Sequence, residues 1–302
     1  MKQFYSHGKL LLTAEYLILD GAKGLALPTK FGQDLQVENI DAAQIIWESF
    51  DHKNALWFTC NFSLPNLEFD PANTDLKIAR TLQTILKETL KLNPNFLING
   101  GGFHVKTNLT FPNNYGLGSS STLINNIANW AHITAFDLLN NSFGGSGYDI
   151  ACAANKTPIL FQLKDHKPLV EPVNYNPDFK DHLFFVHLNK KQNSKDGIEK
   201  YRQLNHEVFA FAEEISDLTN ELLHTQHLAD FEHIIKQHEQ IIASIIKQRP
   251  VQEALFSDYF GQTKSLGAWG GDFILATGNE DSPAYFKNKG FKTVLPYREM
   301  IL

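Results

Sequence analysis

One stretch of the chain carries residue types at spacings that can do chemistry on a phosphate: Pro112-Asn113-Asn114-Tyr115-Gly116-Leu117-Gly118-Ser119-Ser120-Ser121, directly before an apolar pattern of helical period. Glycine lets the backbone approach a ligand closely, the first amides of a helix have no internal acceptor, and the helix dipole favours an anion at that end. Ser119, Ser120 and Ser121 can cap the helix, contact phosphate oxygens or offer oxygen to Mg²⁺. Alone, such a stretch serves as an ordinary capped turn. It is not a Walker loop, because G-x-x-x-x-G-K-[ST] is absent, and its serines lack the G-x-S-x-G spacing of a hydrolase elbow.

Three further glycine-bearing segments supply what that loop lacks. Ser6-His7-Gly8-Lys9-Leu10-Leu11-Leu12-Thr13-Ala14-Glu15-Tyr16 brings a lysine, and Phe143-Gly144-Gly145-Ser146-Gly147-Tyr148-Asp149-Ile150-Ala151 brings a carboxylate behind a flexible turn. Lys264-Ser265-Leu266-Gly267-Ala268-Trp269-Gly270-Gly271-Asp272 is a second glycine-rich run. Phosphoryl transfer requires alignment, charge neutralisation at the γ-phosphate and removal of the acceptor proton, which a glycine loop, a divalent cation, a lysine and one carboxylate can provide. Read singly, Asp149 is a helix cap and Lys9 an exposed charge on a strand edge. A lysine near Asp149 would favour its ionised form and orient an acceptor hydroxyl. Lys190, Lys191 and Lys195, in LNKKQNSKDG, form either an exposed polar loop or a capture point for an anionic acceptor. His224, His227, His233 and His238 are spaced by 3, 6 and 5, not as the i, i+4 pair of a helical zinc site, and are expected on solvated helix faces.

The elements that must hold these segments follow from apolar periodicity. From Leu10 to Phe62, short runs rich in β-formers (KLLLT, EYLILD, DLQVENI, QIIWESF, LWFTCNF) predict a mostly antiparallel sheet. Leu76 to Leu92 repeats at helical period; FHVKTNLTF alternates as a strand; LINNIANWAHITAF repeats as a helix. The serine-glycine loop therefore joins a strand to a helix. KDHKPLVEPVNYNPDFKD has three prolines and little periodicity, which places a domain boundary there and divides the chain into 1–172 and 173–302. Beyond it, HLFFVHL predicts a buried strand, the stretch from Ile198 to Leu222 one long helix, and Leu228 to Ile245 another ending before Pro250. SLGAWGGDFILATG and FKTVLPY supply the remaining strands of a second α+β layer.

Composition narrows the partners. The 302 residues include 27 Lys plus Arg against 33 Asp plus Glu, a formal net charge of -6, so no global basic surface is expected for nucleic acid or anionic lipid, and any phosphate site must be local. Cys60 and Cys152 are too few for a disulfide framework or a four-ligand zinc site and are expected as buried thiols. No apolar run approaches the roughly 18 residues of a membrane span. The expectation is a cytoplasmic monomer or homodimer acting on a small-molecule substrate, without nucleic acid or membrane partners.

Together and in this order, the glycine-bearing segments resemble the motifs of the GHMP kinase superfamily, named for galactokinase, homoserine kinase, mevalonate kinase and phosphomevalonate kinase. The resemblance spans nearly the whole chain. It implies an α+β, two-domain GHMP kinase fold, with a ribosomal protein S5 domain 2-like N-terminal domain, a ferredoxin-like C-terminal domain, and ATP and substrate between them. ATP and Mg²⁺ are the implied cofactors. Pro112, Gly116, Leu117, Gly118, Ser119, Ser120 and Ser121 match the ATP-phosphate loop, and Ser120, with Ser119 as the other choice, matches the hydroxyl near Mg²⁺. Asp149 matches the carboxylate proposed as base in such kinases and Lys9 the lysine that neighbours it. Lys9, Ser146, Gly147, Lys190, Lys191, Gly270 and Gly271 are the expected substrate-binding residues.

Two departures stand out. Many mevalonate-kinase-like members carry a metal-binding glutamate before the aspartate motif, where the nearest acid here is Asp137 in AFDLLNN. The third motif holds Trp269 where glycine is usual, though it ends in Gly-Gly-Asp as phosphomevalonate kinases often do. A bulky indole there restricts φ and fills space near the phosphate or acceptor, or it points into a core. The implied activity is ATP-dependent phosphorylation of a small anionic metabolite of the mevalonate route, by a phosphomevalonate kinase or mevalonate kinase. The alternative is a non-catalytic nucleotide- or metabolite-binding protein derived from the same fold.

Overall fold

The computed structural model describes residues 1–98, 101–190, 194–204 and 208–302. In chain order its elements are β1 (Lys2–Leu11), β2 (Gly24–Ile40), β3 (Gln44–Phe50), β4 (Leu56–Ser63), α1 (Leu76–Leu92), β5 (Gly102–Leu109), α2 (Ser119–Ala131), α3 (Ala135–Ser142), α4 (Tyr148–Ala154), β6 (Ile159–Lys164), β7 (Lys167–Pro172) and β8 (Leu183–His187). There follow α5 (Ser194–Arg202), α6 (Val208–His224), α7 (Leu228–Ile246), α8 (Val251–Leu255), β9 (Thr263–Ser265), β10 (Phe273–Thr277), α9 (Ser282–Asn288), β11 (Val294–Pro296) and α10 (Tyr297–Met300). Two compact units result. The first comprises Met1–Gly8, Phe31–Asn113 and Leu117–Ala154; the second comprises Lys9–Lys30, Asn114–Gly116 and Asn155–Leu302.

In the first unit β4, β3, β5 and the Gln33–Ile40 part of β2 lie side by side. β3 pairs with β5 in parallel, and the other pairs are antiparallel. Alternation in β3 and β4 turns Ile45, Trp47, Phe58, Cys60 and Phe62 into one core with Leu82, Ile85 and Leu86 of α1 and Ile124, Ile127 and Trp130 of α2. The Asp75 side chain starts α1 by accepting from the Lys77 and Ile78 amides. A buried polar net holds α2 in register. The Ser6 hydroxyl donates to Asn126 Oδ1 at 2.7 Å and accepts from Asn125 Nδ2 at 2.9 Å, while Thr122 Oγ1 donates to Gln33 Oε1 at 2.7 Å. Each member is paired, so this net fixes orientation without an orphaned group.

In the second unit the Gly24–Ala26 end of β2 pairs with β6, and β6 with β7. β7 lies where the prolines suggested a linker; as the edge strand it accommodates Pro168 and Pro172 without breaking an interior ladder. A separate antiparallel sheet has the order β11-β8-β10-β9. Every residue of β8 and β10 is buried, which accounts for their unbroken apolar character. Cys60 and Cys152 are buried thiols, as expected. Among the described residues no helix is long and apolar enough to cross a membrane.

Three local expectations are corrected. EYLILD is not a strand: Ala14 and Tyr16 have φ of 70° and 63°, and Leu17–Asp20 is a 3₁₀ turn. LINNIANWAHITAF is two helices, because His132 turns at φ 54° and the Thr134 side chain caps a new helix at the Asp137 amide. The single helix predicted from Ile198 is α5 and α6. Periodicity records which face is buried and is blind to a change of axis between two such faces.

Candidate functional site

In the first unit, α2 presents an open N-terminus. Gly118 is its N-cap residue at φ 87°, no side chain caps it, and the first backbone bond runs from the Thr122 amide to Gly118 O. The amides of Ser119, Ser120 and Ser121 therefore have no acceptor within the helix. The three hydroxyls divide by environment. Ser121 is buried and donates to Gly118 O at 2.8 Å, whereas Ser120 is exposed. Leu117, between the two glycines, is fully buried and Pro112 half-buried, anchoring the loop. Asp149 lies in the first turn of α4, half-buried, with Oδ1 accepting from the Ile150 amide at 3.0 Å, and Ser146 and Gly147 precede it. Asp137 is exposed and engaged with the Thr134 hydroxyl at the start of α3.

The second unit holds the remaining expected residues. Lys9 Nζ donates to Gly116 O at 3.3 Å. Gly116 has φ 66°, and a Cβ built on it would lie 2.3 Å from the Asp272 carboxyl, so both backbone angle and close approach require glycine here. Asp272 is itself at φ 51°; its amide donates to Lys190 O at 2.7 Å and its carbonyl accepts from the Leu188 amide at 2.8 Å. His187 ties the same loop to β8: Nε2 pairs with Asn114 O at 3.0 Å, and Nδ1 accepts from the Asn189 amide at 3.3 Å, which leaves the proton on Nε2. Tyr115 packs against His187 and Phe273 at ring separations of 5.0 and 5.1 Å. Four segments far apart in sequence, at Lys9, 114–116, 187–190 and 272, thus meet in one place. Gly270 is exposed and Gly271 buried beside it. Lys191 lies outside the described residues, as does the Lys195 side chain.

Close in sequence to Lys9 is a buried ionic cluster that sequence reasoning missed. Glu15, His238 and Lys264 are fully buried and Glu239 nearly so. Lys264 Nζ donates to Glu15 Oε1 and, at 2.9 Å, to Ser265 O. His238 Nε2 accepts from the Ala14 amide at 2.9 Å and stands 3.4 Å from Glu15 Oε2. Accepting there makes the ring neutral, in keeping with burial and the Lys264 charge, which hold its pKa well below the usual imidazole value. Burial raises the Glu15 carboxyl to about 7 against the opposing pull of Lys264. Glu239 is also raised by burial, although Lys264 and bonds from Ser265 and Val251 oppose the shift. His238 is therefore a correction: His224, His227 and His233 are exposed as expected, but His238 is in the core because it supplies the acceptor for Ala14. Glu15 and Lys264 both stand in the glycine-bearing segments, but a contact across 249 positions has no periodic signature.

No protein-family model matches the chain, and no curated protein matches it in sequence. Solved structures do. A Methanococcus jannaschii mevalonate kinase superposes with a TM-score of 0.70 at 16% identity, over 97% of this chain and 96% of that one. A Streptococcus pneumoniae phosphomevalonate kinase in complex with phosphomevalonate and AMPPNP gives 0.69 at 17%, over 96% of each chain. A Lactococcus lactis galactokinase with galactose gives 0.64 at 13%, over 95% and 88%. The chain has the GHMP kinase fold. Within that fold, the first unit carries the open helix terminus and Asp149, and the second carries Lys9, Gly116, Lys190 and Asp272. Among the described residues no group of three or more His, Cys, Asp or Glu side chains could hold a metal ion.

Proposed function

We propose that the protein is an ATP-dependent small-molecule kinase whose acceptor is a small anionic metabolite, with phosphomevalonate or mevalonate the first candidates. The observation that carries the reading is the meeting of Lys9, Gly116 and Asp272, which joins three of the glycine-bearing segments around one loop. The open amides at Ser119–Ser121 and the left-handed Gly116 and Gly118 suit a triphosphate. We take 1–172 as the domain bearing that loop and 173–302 as its partner domain.

In this reading Pro112, Gly116, Leu117, Gly118, Ser119, Ser120 and Ser121 form the nucleotide loop. The acceptor is held by Lys9, Ser146, Gly147, Lys190, Lys191, Gly270 and Gly271. Bound ATP supplies the phosphoryl group and Mg²⁺ offsets the charge of its phosphates. Ser120 would offer a hydroxyl oxygen to Mg²⁺, a hard cation that takes oxygen ligands and keeps several waters. Asp149 takes the acceptor hydroxyl's proton, or orients that hydroxyl, as its oxygen bonds to the γ-phosphorus and the bond to ADP breaks. Lys9 fixes the loop through Gly116 O. The test is a coupled ADP-release assay with mevalonate, phosphomevalonate, homoserine and galactose. Acceptor-dependent turnover with an anionic member supports the reading. Nucleotide binding without turnover on any of them replaces it with a non-catalytic binding role.

A further inference from the structure

We propose that Trp269 selects the phosphoryl acceptor by donating its indole N–H to an anionic oxygen of that molecule, an assignment that rests on the kinase reading above. The side chain is only 2% exposed, yet Nε1 has no hydrogen-bond partner. Buried donors are nearly always paired, and an orphaned one costs free energy comparable to a lost hydrogen bond. The backbone beside it is tied down. Trp269 hydrogen-bonds the Tyr16 hydroxyl through its main chain, and Tyr16 stacks on Tyr201 at 5.3 Å. Gly197 of α5 packs so closely that a Cβ there would lie 2.7 Å from the Tyr16 hydroxyl, and the Tyr201 hydroxyl is itself anchored on Asp20.

Open space lies beside the backbone on either side of Trp269. Gly267 and Gly270 have φ of 58° and 88°, and a Cβ built on either would meet nothing within 4 Å. At the far end of the same run Asp272 lies against Gly116 of the nucleotide loop, and Gly270 and Gly271, given to the acceptor in the reading above, directly follow Trp269. An indole is a donor only, so its partner must bring an acceptor atom. An anionic oxygen makes the bond charge-assisted, roughly twice as strong as a neutral one. A carboxylate or phosphate on the acceptor therefore fits better than the hydroxyl of a neutral sugar.

The experiment reads the indole proton directly. In protein labelled with ¹⁵N-tryptophan, Trp47, Trp57, Trp130 and Trp269 give the indole resonances, and Trp269→Phe assigns the last. Mevalonate or phosphomevalonate is expected to shift the Trp269 resonance downfield, with AMPPNP and galactose leaving it in place. In the ADP-release assay Trp269→Phe should raise the KM of that acceptor about tenfold or more, as for a lost bond to a charged group, with the KM of ATP within about twofold. A resonance indifferent to mevalonate, phosphomevalonate and homoserine overturns the proposal, as does one moved by AMPPNP alone or galactose alone. A shift without turnover on any acceptor sinks the kinase reading and leaves the binding role of Trp269 standing. Turnover with an unchanged acceptor KM in Trp269→Phe sinks the role of Trp269 and leaves the kinase reading. Should Trp269→Phe fold poorly, 3-benzothienylalanine at the position keeps the bicyclic ring without the N–H and decides in the same way.

Discussion

Replacing Glu15 by Gln tests whether the buried cluster beside the Lys9 segment holds its carboxyl neutral or charged. Burial raises this carboxyl from 4.5 to about 7 with Lys264 in contact. In the unfolded chain it ionises near pH 4.5, so between that value and about 7 the folded state holds the extra proton and stability falls as pH rises. Taking about 1.4 kcal/mol per pH unit where only the unfolded chain is ionised, the loss between pH 5 and pH 8 is about 2–3 kcal/mol. Two neighbours act on the same range. His238, held below 6.5, contributes stability that is present above 6.5 and is lost as pH falls through its folded pKa, and Glu239 is raised like Glu15. Their slopes overlap that of Glu15, so the readout is the difference between variant and wild type at each pH, which also carries the shift that the lost carboxyl causes in these two neighbours.

At pH 5 the wild-type carboxyl is itself protonated in the folded state and Gln is a close match in shape and charge, so the two proteins should have similar stability. At pH 8 the variant should be more stable by about 2–3 kcal/mol. The measurement is urea unfolding of both proteins at pH 5, 6, 7 and 8, with slopes checked for constancy. A stability difference that stays within about 0.5 kcal/mol across the series would mean that Glu15 is ionised throughout as the partner of Lys264, and the argument from burial would fail.

The remaining predictions concern the nucleotide loop and the base. Gly118→Val should abolish nucleotide binding in calorimetry while circular dichroism stays native, because a β-branched side chain at φ 87° both strains the backbone and fills the space that phosphate needs. Gly116→Ala should weaken ATP binding about tenfold, since a left-handed alanine costs roughly 1–2 kcal/mol and its Cβ meets the Asp272 carboxyl; ATP affinity equal to wild type would remove this loop from the site. Asp149→Asn should lower kcat by about 10²- to 10⁴-fold with ATP affinity unchanged, whereas near-full turnover would return Asp149 to the role of a helix-terminus residue.

What the sequence alone determined lies in local pattern. Glycines before a helical period gave the open start of α2, since a left-handed Gly118 with no capping side chain is local chemistry. The alternation of β5 and the stripes of α1 and α7 were readable because a helix or strand buries a face of fixed period. Tertiary structure alone decided the groups that depend on remote partners. EYLILD has the composition of a strand, but Glu15 finds Lys264 and His238 in the core, and the chain accepts left-handed Ala14 and Tyr16 to place it there. His238 read as one of four solvated histidines until the Ala14 amide, 224 positions away, gave its ring a reason to be buried. Asp272 and Gly116 each stand in a glycine-bearing segment, yet nothing in their spacing says that one fills the space the other leaves. The physical reason is common to these cases: spacing along the chain fixes the face a side chain occupies, whereas its charge state and its partner depend on what the fold packs against that face.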